Sequence, residues 1–535
     1  MAHGQGFRAL VRVFQQARRN VLAAQGRNTP VLQSASRRQF MRNAALGGAA
    51  LTAAGSLSGC WGGRRDVVIV GGGLAGLTAA FQLGKAGVRA QVYEARNRVG
   101  GRIRSVEGIV SEGIVTDLGA ELVNSDHDDL RALLDEFAIP LIERKAEHAG
   151  LEQVGYFFGG VRRSEAEMAA ALQPLAAQIM ADAELLDADW DTWGPVFDQL
   201  SVADYLDQHS NLLPADPAIR TLMEGLVRVE YGVEADSSSA LHLLYMLPVV
   251  DGDHVELLSS SDEAWVISGG SESVISALKA VLADRIHTGM SLTALEQTRQ
   301  GYLLTFNGTR KVHARYVVLA LPLPALRKVN MTVELPETLQ RFIQEVDLGR
   351  NEKIVAGMQQ RTWRTADGFK NEAWSDQAQD LIWDSSLREL ATRDNGALTF
   401  FLGGEQVEAV ASGTARQQGT ALLEQYDSLL PGLQASANGR FVRTSWHTTN
   451  GIMGGYTNFR PGQYSDFAWE WMYVESDDPD EAQTPCVERL LLAGEHTSDE
   501  YYGFMNGAAQ TGRLAAQWIV ADMAAAQAGD TDANL

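Results

Sequence analysis

Three glycines stand at Gly71, Gly73 and Gly76, in the run Gly71-Gly72-Gly73-Leu74-Ala75-Gly76. The spacing G-x-G-x-x-G suits one chemistry. It allows a tight turn, close backbone approach to a pyrophosphate, and close packing of a helix on a strand. Leu74 and Ala75 begin that helix, whose first N–H groups point at the phosphate. Glu94 lies 18 residues beyond Gly76, where a carboxylate accepts hydrogen bonds from ribose hydroxyls. A glycine-rich surface loop would not require that acid, so the pattern reads as a dinucleotide site.

The elements that must hold this loop are legible around it. Val67, Val68, Ile69 and Val70 form one apolar run, which predicts a buried strand over 66–71. A helix over 74–87 and a second strand over 88–94 then begin a βαβ unit. Residues 125–250 read as mostly helical, with acidic loops such as 187–191. Strands are predicted at 292–297, 301–306, 315–321 and 489–495, a strand-rich region over 350–470, and a long helix over 504–526. The expected class is a mixed α/β fold, with a Rossmann-like domain interleaved with a substrate domain of mixed sheet and helices. The dinucleotide-binding parts are 61–145, 251–335 and 471–535. The substrate-domain parts are 146–250, helical, and 336–470, sheet.

Composition narrows the function. With 535 residues, 45% apolar and 21% charged, the chain builds a large core and is not disordered. A net charge of −22 argues against nucleic acid, whose phosphates need clustered Lys and Arg. Two cysteines, Cys60 and Cys486, exclude a disulfide scaffold. Ten histidines are scattered without metal-ligand spacing, so no metal is expected. The acid-rich stretch 475–481 reads as a solvated loop.

Residues 1–60 are a separate object. They hold eight arginines and no acid, leaving 37 basic against 67 acidic residues in the rest, a net −30. Arg37-Arg38-Gln39-Phe40-Met41 precedes an Ala/Gly-rich apolar stretch over 44–57. The order resembles a twin-arginine export signal, read by a receptor and not an anchor. An organellar transit peptide is the plainer alternative. Leu57-Ser58-Gly59-Cys60 resembles a bacterial lipoprotein box, which would place an acylated Cys60 on a membrane surface. A small-residue cleavage site that happens to contain cysteine is the equal alternative. The expected location is periplasmic, or lipid-anchored at a bacterial membrane, with the twin-arginine machinery as partner.

The residues after Glu94 distinguish the dinucleotide. Ala95-Arg96-Asn97-Arg98-Val99-Gly100-Gly101-Arg102 adds basic residues and a second glycine pair, which a nicotinamide site does not need. The stretch resembles the FAD-binding start of the flavin amine oxidase superfamily, which includes monoamine, polyamine and L-amino-acid oxidases. The likeness spans most of residues 65–522 and is weak between 125 and 250. It implies FAD, with Ala95, Arg96, Gly101 and Arg102 near its pyrophosphate, and Gly119, Ala120 and Glu121 passing close to the flavin. Ile267-Ser268-Gly269-Gly270 matches a family turn before a helix. Leu292 falls where the family sets main chain against adenine. Glu495, after Gly494, falls near the ribityl and diphosphate region. Met505 begins a helix facing the pyrimidine edge, and the family usually has an acid where Asn506 stands.

The same resemblance implies the chemistry. Lys353, ten residues before Trp363, matches the family lysine that holds a water against the reactive flavin nitrogen N5. Trp446 and Tyr456 match a segment in which an aromatic forms one wall of a cage, with Phe504 opposite. An amine between two ring faces is held by their quadrupoles and oriented for hydride transfer. Monoamine oxidases attach flavin through a cysteine where Gly455 stands, so binding is expected to be non-covalent. The implied reaction is hydride transfer from an amine α-carbon to N5, then imine hydrolysis, with oxygen or a quinone as electron acceptor. An L-amino-acid oxidase or dehydrogenase is the nearest alternative. It needs an Arg for the substrate carboxylate, yet none follows Leu118-Gly119 before Arg131. A desaturase- or porphyrinogen-oxidase-like enzyme and a non-catalytic flavin-binding protein are further alternatives.

Overall fold

The computed structural model describes residues 64–144, 151–377, 379–476 and 482–532. The export segment and Cys60 lie outside them. Along the chain come β1 (Arg64–Val70), α1 (Leu74–Lys85) and β2 (Ala90–Tyr93), then β3 (Val154–Phe158) and β4 (Val161–Arg163). A helical stretch includes α2 (Glu165–Ala188) and α3 (Ala218–Tyr231). Next are β5 (Ile286–His287), β6 (Leu292–Thr298), β7 (Gly301–Phe306), β8 (Arg310–Leu319) and β9 (Asn330–Thr332). Then come β10 (Asn351–Met358), β11 (Glu372–Ser375), β12 (Leu381–Asp384), β13 (Gly396–Gly403) and β14 (Ala437–Arg443). The chain closes with β15 (Cys486–Val487), β16 (Leu490–Leu492) and α4 (Met505–Asp532).

Two large sheets carry the architecture. The first has order β5-β2-β1-β8-β7-β6-β9, with β16 on β8 and β15 on β16. β1 pairs in parallel with both β2 and β8. It sits mid-sheet, covered on both faces, which is why its apolar run does not alternate. The second has order β14-β10-β13-β12-β11-β3-β4. All eight residues of β10 are buried. Each sheet thus draws strands from separated parts of the chain. α4 packs on α1, and a Cβ at Gly512 would stand 2.3 Å from the Ala75 carbonyl.

Some local expectations change. The stretch 187–191 is not a loop: α2 ends at Ala188 and the next helix starts at Trp190. The Asp189 carboxylate accepts from Thr192 N at 3.2 Å, so this acid caps a helix. β8 starts earlier than predicted because Arg310–Ala314 pairs antiparallel with β7. The strand expected over 489–495 stops at Leu492, and Glu495–Thr497 forms a tight helical turn. Glu475 is ion-paired with Arg513 at 2.8 Å rather than simply solvated; residues 477–481 lie outside the described residues.

Candidate active site

The glycine loop joins β1 to α1. Gly71 has φ +110°, and a Cβ there would stand 2.1 Å from the Ala320 carbonyl. Gly76 does not reach the cavity; its bare Cα allows the helix to close on the Gly71 carbonyl, 2.0 Å from where a Cβ would be. Gly73 differs, since a Cβ there would meet nothing within 4 Å. No side chain caps the start of α1, and Leu74 and Ala75 line the cavity. First-turn N–H groups are therefore left for an anion. The buried Glu94 carboxylate accepts from Gly72 N and Arg96 N, each at 2.8 Å. Met290 N donates to the Glu94 carbonyl at 2.8 Å, which brings Leu292 to the same wall.

The arginines divide their work. Arg98 donates to the Val99, Gly101 and Ile103 carbonyls and ties the loop together. Arg96 and Arg102 line the cavity with Ala95 and Gly101. Arg96 Nη1 is buried with no protein partner. Arg102 Nη1 donates to the Gly455 carbonyl and, at 2.7 Å, to Glu495. Glu495 also accepts from Thr457 Oγ1 at 2.8 Å and Gly503 N at 2.7 Å. Burial opposes its ionisation, but Arg102 beside it prevails and holds the carboxyl below its usual range.

Gly119, Ala120, Lys353, Trp446, Gly494 and Met505 form a further part of the wall. Trp446 Nε1 donates to the Leu118 carbonyl at 2.9 Å. Lys353 lies inside β10, 4% exposed. Its Nζ donates to the carbonyls of Asp117 and Gly119, each at 2.9 Å, and to Glu121 at 2.8 Å. Glu121, expected near the cofactor, does not line the cavity; it stands behind Lys353 as its counter-ion. The side chain after the cavity-lining Ala120 turns away from the cavity and toward Lys353 Nζ.

Tyr456 and Phe504 line the same cavity. Phe504 meets the edge of His127, with ring centroids 5.2 Å apart. Burial first, then Glu230 and Glu263, raise the Tyr456 hydroxyl above its ordinary pKa, so it stays neutral. Gly455 leaves no room for a cysteine: a Cβ would stand 2.5 Å from Asn351 Oδ1, and Asn351 Nδ2 is held by the Val229 carbonyl at 2.8 Å. Asn506 does not face the cavity. Its Oδ1 accepts from Leu130 N at 2.9 Å and docks α4.

Three further residues stand in or beside this site without having been assigned a role from the sequence, where His496 reads as a packing or polar contact. His496 lines the cavity with neither ring nitrogen bonded to protein; burial lowers its pKa to about 4. His127, behind Phe504, is lowered to about 3 by burial. Asn351 lines the wall two residues before Lys353. The adjacency of His496 to Glu495 and of Asn351 to Lys353 was the available signal.

The cavity holds about 1610 Å³ of space counted out to its open mouth. Among the described residues there is no group of three His, Cys, Asp or Glu suited to a metal ion, and no helix long and apolar enough to cross a membrane. A family model described as flavin containing amine oxidoreductase matches residues 74–520. The human flavin-containing amine oxidase B is 23% identical over 473 residues, covering 85% of this chain and 86% of its own. An L-amino acid dehydrogenase of a Synechocystis species is 24% identical over 477 residues, covering 85% and 94%. Wild-type putrescine oxidase bound to putrescine superposes with a TM-score of 0.66 at 23% identity, over 86% of this chain and 99% of its own; that likeness is one of fold.

Proposed function

Because the chain belongs to the flavin containing amine oxidoreductase family, we propose that it oxidises a small cationic amine to an imine with non-covalently held FAD. The chain is an FAD-dependent oxidoreductase acting on amines. The residues present fit that cofactor. Gly73 leaves a cradle that a Cβ would fill, Arg96 offers a buried unpaired donor, and Glu94 is fixed at the ribose position. Gly73, Leu74, Ala75, Arg96 and Arg102 would hold the pyrophosphate, and Leu292 would lie near the adenine. The chemistry FAD supplies when bound is two-electron acceptance from the α-carbon of the amine.

The protein residues orient and select. Tyr456 and Phe504 provide the ring faces against which an amine is held. The observation that carries the substrate class is this pair of aromatic side chains on one cavity wall. The acids nearest the Tyr456 hydroxyl bring little net charge: Glu121 and Glu263 are paired with Lys353 and Arg144, and burial raises the Glu230 carboxyl well above the usual carboxylate range, which favours its neutral form. Arg102 is engaged by Glu495, and Arg144 by Glu263 and Glu372 at 2.9 and 2.6 Å, while Arg96 is assigned to the pyrophosphate. This weighs against the L-amino-acid reading. Lys353 and the two aromatics weigh against a desaturase-like enzyme. The amine must lose its proton before hydride leaves, and the imine then hydrolyses to a carbonyl compound and ammonia or a smaller amine. Electrons pass on to oxygen, giving hydrogen peroxide, or to a quinone. Export by the twin-arginine route, with or without acylation at Cys60, belongs to the same proposal.

The test is anaerobic mixing of the FAD-loaded protein with polyamines, aromatic monoamines and L-amino acids. Bleaching of flavin absorbance by an amine supports the reading, and peroxide or dye reduction on re-aeration then separates oxidase from dehydrogenase. Bleaching by L-amino acids alone overturns the substrate class; bleaching by none points to a flavin-binding protein without this chemistry.

A further inference from the structure

Lys353 and Glu121 form a buried ion pair, 2.8 Å apart, with 5% of each side chain exposed. The cation lines the cavity and the anion stands behind it. An ammonium has three N–H donors. Here Glu121 and the carbonyls of Asp117 and Gly119 accept all three, and the Trp383 ring lies 4.8 Å from Nζ. Lys353 is the only side chain that hydrogen-bonds Glu121 among the described residues. The neighbouring charges are paired elsewhere, Asp117 with Arg388, and Arg144 with Glu263 and Glu372. A buried ion pair is weak evidence of stabilisation, since an apolar pair of similar volume is often as stable. Its geometry therefore points to a second purpose.

We propose that Glu121 is a positioning residue: it fixes the Lys353 ammonium at the cavity wall and cancels its charge there. The inference rests on the reading that the flavin ring lies against Lys353. Bound flavin then meets a dipole and not a bare cation. Removing the carboxylate while keeping the lysine exposes a full positive charge to it, which stabilises anionic forms of the ring.

Sulfite tests this, because it is an anion that bleaches oxidised flavin by adding to it, independently of any amine. Its dissociation constant is measured on FAD-loaded wild type, Glu121→Gln, Glu121→Asp, Lys353→Met and the Glu121→Gln/Lys353→Met double variant. Glu121→Gln is expected to bind sulfite about tenfold tighter, the effect of one charge at roughly 10 Å in an effective dielectric near 20. Lys353→Met is expected to bind it more weakly than wild type, and the double variant to return to within about threefold, neutral for neutral. Melting of the apoproteins supplies a second readout, expected to fall for Glu121→Gln and to recover in the double variant. If Glu121→Gln does not load FAD, Glu121→Asp, which loosens the pair, is expected to tighten sulfite in smaller measure. Sulfite affinity unchanged in both Glu121 variants overturns the proposal. Failure of amines to bleach the wild type would instead overturn the amine reading and leave the sulfite series legible.

Discussion

Gly73→Ala separates the fold of the glycine loop from its cofactor. Gly73 is the N-cap of α1 at φ −74° and ψ 179°, a conformation alanine adopts without strain. Its added methyl meets no protein atom within 4 Å. Alanine caps a helix less well than glycine, by a few tenths to about 1 kcal/mol. Reduced freedom of the unfolded chain offsets about 0.4–1 kcal/mol. The apoprotein should therefore melt within about 2 °C of wild type. FAD binding should fall steeply, because the methyl stands where the pyrophosphate must approach. Losing two hydrogen bonds to a charged group, each about 1.5–3 kcal/mol, weakens binding by about 3 kcal/mol or more, at least a hundredfold in Kd. The assay is titration of each apoprotein with FAD, followed by flavin fluorescence, beside thermal unfolding without FAD. Gly71→Ala is the control: φ +110° and a 2.1 Å approach to the Ala320 carbonyl should cost the fold several kcal/mol. A Gly73→Ala protein that binds FAD within threefold of wild type would refute the placement of the pyrophosphate over this residue.

Other expectations follow from separate features. Acid precipitation should release all flavin, since Gly455 offers no thiol and Asn351 fills the space of a side chain there; flavin retained in the pellet contradicts this. His127, His242 and His496 are held neutral by burial, with pKa values near 3, 3 and 4 against 6.5 in the unfolded chain. Between pH 6.5 and those values the unfolded state binds more protons, so their contribution to stability is present above pH 6.5 and declines as pH falls. His496→Asn should make the melting-temperature profile shallower between pH 6.5 and 4, and an equally steep profile would count against the buried neutral imidazole. Arg37→Lys with Arg38→Lys should trap the precursor in the cytoplasm, and Cys60→Ser should move activity from membrane to soluble fraction. Normal export of the first, or an unchanged distribution of the second, rejects the corresponding signal. The net −30 beyond residue 60 should concentrate cationic amines at the surface, an effect that salt screens over about 8–10 Å. The apparent KM for such an amine should then rise with ionic strength, and a flat dependence removes the field effect.

The local chemistry of this protein was written in contiguous residues. The glycine spacing, the unbroken apolar run of β1 and Glu94 at the end of β2 all act within one βαβ unit. Backbone sterics and period alone place them, so sequence identified the dinucleotide loop with its flanking elements. Lys353, Trp446 and Glu495 were reached only through family resemblance, because each belongs to a different segment and local pattern says nothing of what a side chain faces. Tertiary structure decided the partners. Glu121 left the cofactor for Lys353, a contact across 232 residues, because β10 packs its lysine against the 117–121 segment and binds it at three atoms. Asn506 became a docking residue for α4, and Asn351 took the space a cysteine would need at Gly455. The pairing of the acids near Tyr456 is also non-local, since Glu121 meets Lys353 and Glu263 meets Arg144 across separate segments. Hydrophobic pattern sets which face of an element is buried; which charges then meet behind that face depends on how distant strands are packed, and no period in the sequence encodes it.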